Sequence, residues 1–168
     1  MYLGHRCYLE ADPLTVVRIS KEIGIDAGHR VPNHESKCRN PHGHRYRVIV
    51  HAEGPIITEP GSPDEGMLVD FAFLKQIMMQ RVDAILDHGF IVYEGDHDML
   101  DCFTFPQASE WKIVVFPYIP TAENIARWIW EQINPDIATH FRGNLKLVAV
   151  EIWETPTSMA IYEGKEVQ

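Results

Sequence analysis

Residues 45–53, RYRVIVHAE, alternate with a period of two. Tyr46, Val48, Val50 and Ala52 fall on one face, and Arg45, Arg47 and His51 are among those on the other. Successive side chains take opposite faces only on an extended strand, so this stretch commits the chain to a sheet with one apolar and one polar side. A second run, VVRISKEIGI over residues 16–25, is rich in β-branched residues and reads as its partner strand. The segment between them, DAGHRVPNHESKCRNPHGH, is polar and broken by Pro32, Pro41 and Gly43. Two strands with such a connection form an antiparallel hairpin whose link holds most of the reactive side chains.

The rest of the pattern completes an α+β chain. Residues 54–66 hold Gly54, Pro55, Pro60, Gly61, Pro63 and Gly66 and read as a loop. Phe71, Leu74, Met78, Val82 and Ile85 then step at helical spacing, with Asp70 as N-cap and Gly89 as the stop after Asp87–His88. Residues 92–120 read as a loop plus one short strand, IVVF. A second helix starts at the cap Thr121, buries Ile125, Ile129 and Ile133, and ends at Asn134–Pro135. Residues 145–154 alternate again, and Ser158–Glu163 follow after the turn 155–157. The expected order is β-β-α-α-β-β, with four antiparallel strands and a hairpin at each end. Such a sheet leaves two edges that need covering, which favours sheet pairing between subunits.

At 168 residues and 45% hydrophobic, the chain suits one domain spanning residues 1–168, with 1–15 an N-terminal arm and 91–119 an inserted loop or lid. The formal charge of −9 excludes the broad basic face that nucleic acid or an anionic membrane requires. Three cysteines without a framework argue against a disulfide scaffold. No apolar run reaches a signal peptide or the ~20 residues of a membrane span. A cytoplasmic protein is expected.

The linking segment carries the chemistry. His42 and His44 flank one glycine, and positions two apart on a strand face the same way. His29, at the end of the preceding strand, would meet them across the hairpin. Three neutral imidazoles with an open fourth position is a catalytic zinc arrangement, although H-x-H alone also occurs at ordinary strand starts. Cys38 admits three roles: a small buried hydrophobe, a fourth metal ligand, or a thiolate activated by Lys37 and Arg39. Asp87 and His88 either finish the first helix or form an oriented acid–base pair.

Five ordered segments add a resemblance. IDAGHRVPNHESKCRNPHGHRYRVIV, LVDFAFLKQIM, LDHGF, PTAENIARWIWEQI and VEIWETPTSMAIY resemble the 6-pyruvoyltetrahydropterin synthase and 6-carboxytetrahydropterin synthase family from about residue 16 to residue 164. The resemblance implies a tunnelling fold (T-fold), in which such protomers join their sheets into an antiparallel barrel as a trimer or hexamer. It implies zinc on His29, His42 and His44, with Cys38 as a proton-transferring catalyst and not a ligand. Asp87 and His88 complete the catalytic set, Glu154 anchors the pterin's guanidine-like edge, and Thr121 helps hold the ring. The short C-x-x-x-H-G-H spacing is like the carboxytetrahydropterin branch. That branch turns 7,8-dihydroneopterin triphosphate into 6-carboxy-5,6,7,8-tetrahydropterin, acetaldehyde and triphosphate, on the route to deazapurines such as queuosine. Pyruvoyl formation, or zinc and pterin binding without turnover, are the alternatives.

Overall fold

The computed structural model describes residues 15–140 and 145–164; the expected N-terminal arm lies outside them up to residue 14. Strands β1 (Val16–His29) and β2 (His42–Pro55) pair antiparallel along their whole length, from Val16 opposite Pro55 to His29 opposite His42. Both run further than the sequence pattern gave. β1 passes Ile25 to reach His29, and β2 starts at His42, so all three histidines sit within strands. The ladder continues because Gly28 and Gly43 face each other near its end. A Cβ on Gly43 would stand 3.1 Å from the Ala27 carbonyl oxygen. One face buries Ile23, Ile25, Ala27 and His29 against Tyr46, Val48, Val50 and Ala52. The other carries the ion pairs Arg18–Glu53, Arg47–Glu22 and Arg45–Asp26.

Strand β5 (Lys146–Thr155) pairs antiparallel with β2 across a bulge at His51/Ala52, and β6 (Ser158–Tyr162) pairs antiparallel with β5. The sheet is not the expected four-stranded antiparallel one. Strand β3 (Gly89–Tyr93) adds parallel to the end of β1, and β4 (Ile113–Phe116) adds parallel to β3. The order becomes β4-β3-β1-β2-β5-β6. GFIVY and IVVF are apolar runs without alternation; β3 buries Gly89, Ile91 and Val92, whereas β4 lies at the sheet edge and exposes Val115. Parallel neighbours need a crossover and not a tight turn. The intervening chain supplies it through helix α3 (His97–Asp101) and a single 3₁₀ turn (Pro106–Glu110). The stretch 91–119 thus contributes most of two strands to the sheet.

Asp70 caps helix α1 (Phe71–Met78), accepting from the Ala72 N–H at 2.8 Å. The helix continues through a π turn (Met79–Asp83) into α2 (Ala84–Leu86). Leu74, Met78, Val82 and Leu86 are all buried. A strict period of four drifts off a 3.6-residue helix, and the wider turn brings the stripe back to the core. The stop is His88, with a left-handed φ of 57°, and not Gly89. Gly89 is needed for closeness instead, since a Cβ there would lie 3.0 Å from the Leu86 carbonyl oxygen.

Helix α4 (Ala122–Thr139) passes through Pro135, where the sequence suggested an end. Ile137 is fully buried and extends the stripe of Ile125, Ile129 and Ile133. Burying one such side chain stabilises by about 1.5–3 kcal/mol, comparable to the ~3 kcal/mol that an internal proline costs. Truncating Ile129 to Ala would lose about 2–5 kcal/mol. No helix among the described residues is long and apolar enough to cross a membrane.

Candidate metal centre and its cleft

The centre forms where β1 and β2 meet at the loop end of their hairpin. His29 is the last residue of β1 and His42 the first of β2, directly opposite in register, and His44 follows two positions on. Their ring centroids lie 4.5 Å (His29–His42), 5.3 Å (His29–His44) and 4.9 Å (His42–His44) apart. One ligand atom from each ring lies within 4.8 Å of the other two.

Hydrogen bonds set which nitrogen faces inward. His29 Nδ1–H donates to the Pro120 carbonyl at 2.6 Å, and His42 Nδ1–H donates to the Asn40 carbonyl at 2.8 Å. Each bond leaves Nε2 as the lone-pair atom, the usual support for a metal-binding histidine. Nε2 of His29 and Nε2 of His44 are buried without a hydrogen-bond partner. Burial pushes the pKa of both His29 and His44 down, which keeps the rings neutral. Buried acceptors without partners are costly, and a divalent cation satisfies them together. The donor set therefore fits a metal ion such as zinc.

The centre opens on a cleft of about 300 Å³ lined by His29, Val31, Cys38, Thr121 and Glu154, among others. Cys38 sits in a one-turn 3₁₀ helix (Lys37–Arg39) and stands outside the convergent histidine group. Its carbonyl accepts from the Val31 N–H at 2.8 Å, which folds the loop back over the cleft. Thr121 caps α4, with Oγ1 3.4 Å from the Asn124 nitrogen. Oε1 of Glu154 lies 3.5 Å from His29 Nε2 and 3.8 Å from His44 Nε2.

Asp87 and His88 do form a pair, with Nδ1–H of His88 donating to Oδ2 of Asp87 at 2.6 Å. Adjacent helical residues point apart, but these two lie beyond the helix, and His88's left-handed backbone turns its ring back. The pair is tied to β1. Asp26 N–H donates to Asp87 Oδ1 at 2.8 Å, and His88 N–H donates to the Asp26 carbonyl at 2.7 Å. The Asp26 amide, opposed by burial and helped by His88, holds the Asp87 carboxyl below its ordinary value. The pair does not line the cleft of its own chain. His88 borders a separate depression of about 390 Å³ with Phe90, Phe103, Trp111 and Lys112.

Sequence reasoning missed Tyr46 and Pro120 as parts of this centre. The alternation puts Tyr46 on the apolar face, and Tyr46 also continues the His42, His44 series by one more step of two. Pro120 acts through its backbone carbonyl, which carries no sequence signal. His34 lines the cleft but outside the histidine group, accepting from the Ser36 N–H at 3.0 Å.

A mixed, curled sheet that brings three histidines together where two of its strands meet defines a T-fold-like α+β protein. Within that class the chain belongs to the 6-pyruvoyl tetrahydropterin synthase family, which it matches over residues 18–165. It is similar to the 6-carboxy-5,6,7,8-tetrahydropterin synthase of Haemophilus influenzae, at 32% identity over 146 residues covering 87% of this chain and 98% of that protein. A solved structure of an uncharacterized Wolinella succinogenes protein shares the fold at TM-score 0.70 and 26% identity, covering 90% of this chain and 99% of that one. The 6-pyruvoyl tetrahydropterin synthase of Caenorhabditis elegans superposes at TM-score 0.60 and 24% identity, covering 90% and 97%, a likeness of fold. The chain is thus one of a family of pterin synthases.

Proposed function

We propose that this chain converts 7,8-dihydroneopterin triphosphate to 6-carboxy-5,6,7,8-tetrahydropterin, releasing acetaldehyde and triphosphate, with zinc held by His29, His42 and His44. The observation that carries this reading is the convergence of the three imidazoles on one another, with His29 lining the same cleft as Cys38 and Glu154. The similarity to the Haemophilus influenzae 6-carboxy-5,6,7,8-tetrahydropterin synthase favours this product over the pyruvoyl one.

Zinc in an open three-imidazole site supplies Lewis acidity toward the hydroxyl oxygens of the substrate side chain. The remaining work falls to the chain. The Glu154 carboxylate accepts two N–H bonds from the pterin's guanidine-like edge, and Thr121 helps hold the ring. Cys38, as thiolate, takes or relays the side-chain proton. His88, oriented by Asp87, handles a proton from the opposite side, each such transfer contributing about 10²–10⁴-fold. Triphosphate leaves by elimination, met by Lys37 and Arg39. A water then adds to the side-chain carbonyl next to the ring. Cleavage of the adjoining C–C bond in a retro-aldol-type step leaves the carboxylate on the ring, while the departing carbon takes a proton to become acetaldehyde.

This division of labour needs more than one copy. In a single chain His88 borders a different depression from the one His29 opens on, so the Asp87–His88 pair serves the cleft of a neighbour. The sheet's edges are β4 and β6, which expose Val115 at 54% and Ile161 at 51%. Edge-to-edge pairing would cover both and make a homo-oligomeric barrel, a trimer or a pair of trimers.

The test is incubation of zinc-loaded protein with dihydroneopterin triphosphate and mass-spectrometric identification of what forms. Carboxytetrahydropterin with acetaldehyde is expected. A pyruvoyl product would move the chain to the other branch, and binding without turnover would make it a pterin-binding protein.

A further inference from the structure

Tyr46 is fully buried beneath the three imidazoles, its ring 5.9 Å from that of His29 and 5.5 Å from that of His44, edge-on to both. Its hydroxyl donates to Oε1 of Glu154 at 3.4 Å. That is the same oxygen that approaches the Nε2 atoms of His29 and His44. The two residues are held by the sheet: β2 and β5 pair Arg47 with Trp153, and one further step brings Tyr46 opposite Glu154.

A carboxylate in this place has two incompatible uses. It can turn onto the ion as a fourth ligand, at about 2.0–2.2 Å, which closes the coordination shell as in a structural site. Or it can face the cleft and leave the fourth position open. The phenol biases the choice, because Oε1 is the carboxylate oxygen nearest the imidazoles, and swinging it onto the ion would give up its hydrogen bond from Tyr46. The hydroxyl is out of reach of solvent, so no water replaces the bond if it is lost. The ring, wedged edge-on against two imidazoles, keeps the hydroxyl in place.

We propose that Tyr46 is a positioning residue: its hydroxyl holds the Glu154 carboxylate off the metal and directed at the pterin, so that the fourth metal position stays open. This rests on the reading of Glu154 as the pterin anchor.

Cobalt(II) reports coordination number in its visible spectrum and serves as the metal probe, with neopterin as the pterin probe. Tyr46→Phe, checked for folding by circular dichroism, should bind cobalt about 10-fold or more tightly, with the intense band of a closed four-ligand shell, and neopterin about 10-fold less tightly. The double variant Tyr46→Phe/Glu154→Gln should return cobalt affinity and spectrum to those of Glu154→Gln alone. Glu154→Gln by itself should leave the cobalt spectrum that of the unaltered protein, which tests the idea without touching Tyr46. A cobalt spectrum altered by Glu154→Gln alone, or a folded Tyr46→Phe protein with unaltered cobalt and neopterin binding, overturns the proposal. Glu154→Gln that binds neopterin as well as the parent sinks the anchor reading separately.

Discussion

The Nδ1 atom of His29 lies 2.6 Å from the carbonyl oxygen of Pro120, a residue 91 positions further along the chain. That contact ties the end of β1 to the start of α4 and fixes the tautomer of a buried imidazole. With Nδ1 protonated, Nε2 can only accept or ligate, and His42 repeats the device locally through Asn40. The centre is aimed by backbone groups on both sides.

Loss of any one of the three imidazoles should therefore remove most of the metal affinity. His29→Ala, His42→Ala and His44→Ala should each weaken zinc binding by at least about 100-fold, read by competition against a chromophoric chelator. Stripping zinc with a chelator should also lower the melting temperature of the unaltered protein, since a ligand at 1,000 times its Kd stabilises by about 4 kcal/mol. An unshifted melt on metal removal would count against a folded-state site.

Gly43 ligates nothing, yet the centre depends on it. A methyl group there would press on the Ala27 carbonyl oxygen at 3.1 Å, prising apart the strands that carry His29 and His42. Gly43→Ala should lose zinc affinity by about 10-fold or more while retaining its circular dichroism. Calorimetric titration checks both the affinity and the number of sites.

Cys38 lines the cleft without joining the histidine group. Cys38→Ala should keep one zinc per chain and lose turnover by about 10²–10⁴-fold. Metal analysis of the purified variant separates the two roles, because a protein that comes out zinc-free would make the thiol a ligand.

If the Asp87–His88 pair serves a neighbour's cleft, two inactive variants should complement. Cys38→Ala and His88→Ala chains, dissociated and reassembled together, should recover activity that neither has alone. Mixed oligomers as inactive as the parents would return both halves of the machinery to a single chain.

Asp96 gives the acid dependence. It is buried and bound by the Arg30 guanidinium, which holds its carboxyl below the ordinary range against the opposing effect of burial. A carboxyl depressed in the folded state stabilises fully above its unfolded pKa of about 3.9. That contribution drains away as pH falls through the lower folded value. Urea denaturation at pH 7 should find Asp96→Asn less stable by about 2 kcal/mol. The gap between variant and parent should narrow below pH 4, and a gap independent of pH would refute the assignment.

The sequence by itself determined the elements that bury a periodic face. The alternation of Tyr46, Val48, Val50 and Ala52 and the Ile125–Ile129–Ile133 stripe each appear where their spacing put them, because period and burial are local properties. It also marked the cluster of three histidines, since His42 and His44 lie on one side of a strand and His29 ends the strand before. Tertiary structure decided what local pattern cannot encode. GFIVY and IVVF lack alternation, and only the edge of β1 made them parallel strands. Burial of Ile137 outweighed Pro135. Tethering to Asp26 placed the left-handed stop at His88. The aim of His29 depends on the Pro120 carbonyl on the approach to α4, and Tyr46 meets Glu154 across two neighbouring strands. These are contacts between residues far apart in sequence, set only when the helix docks on the sheet.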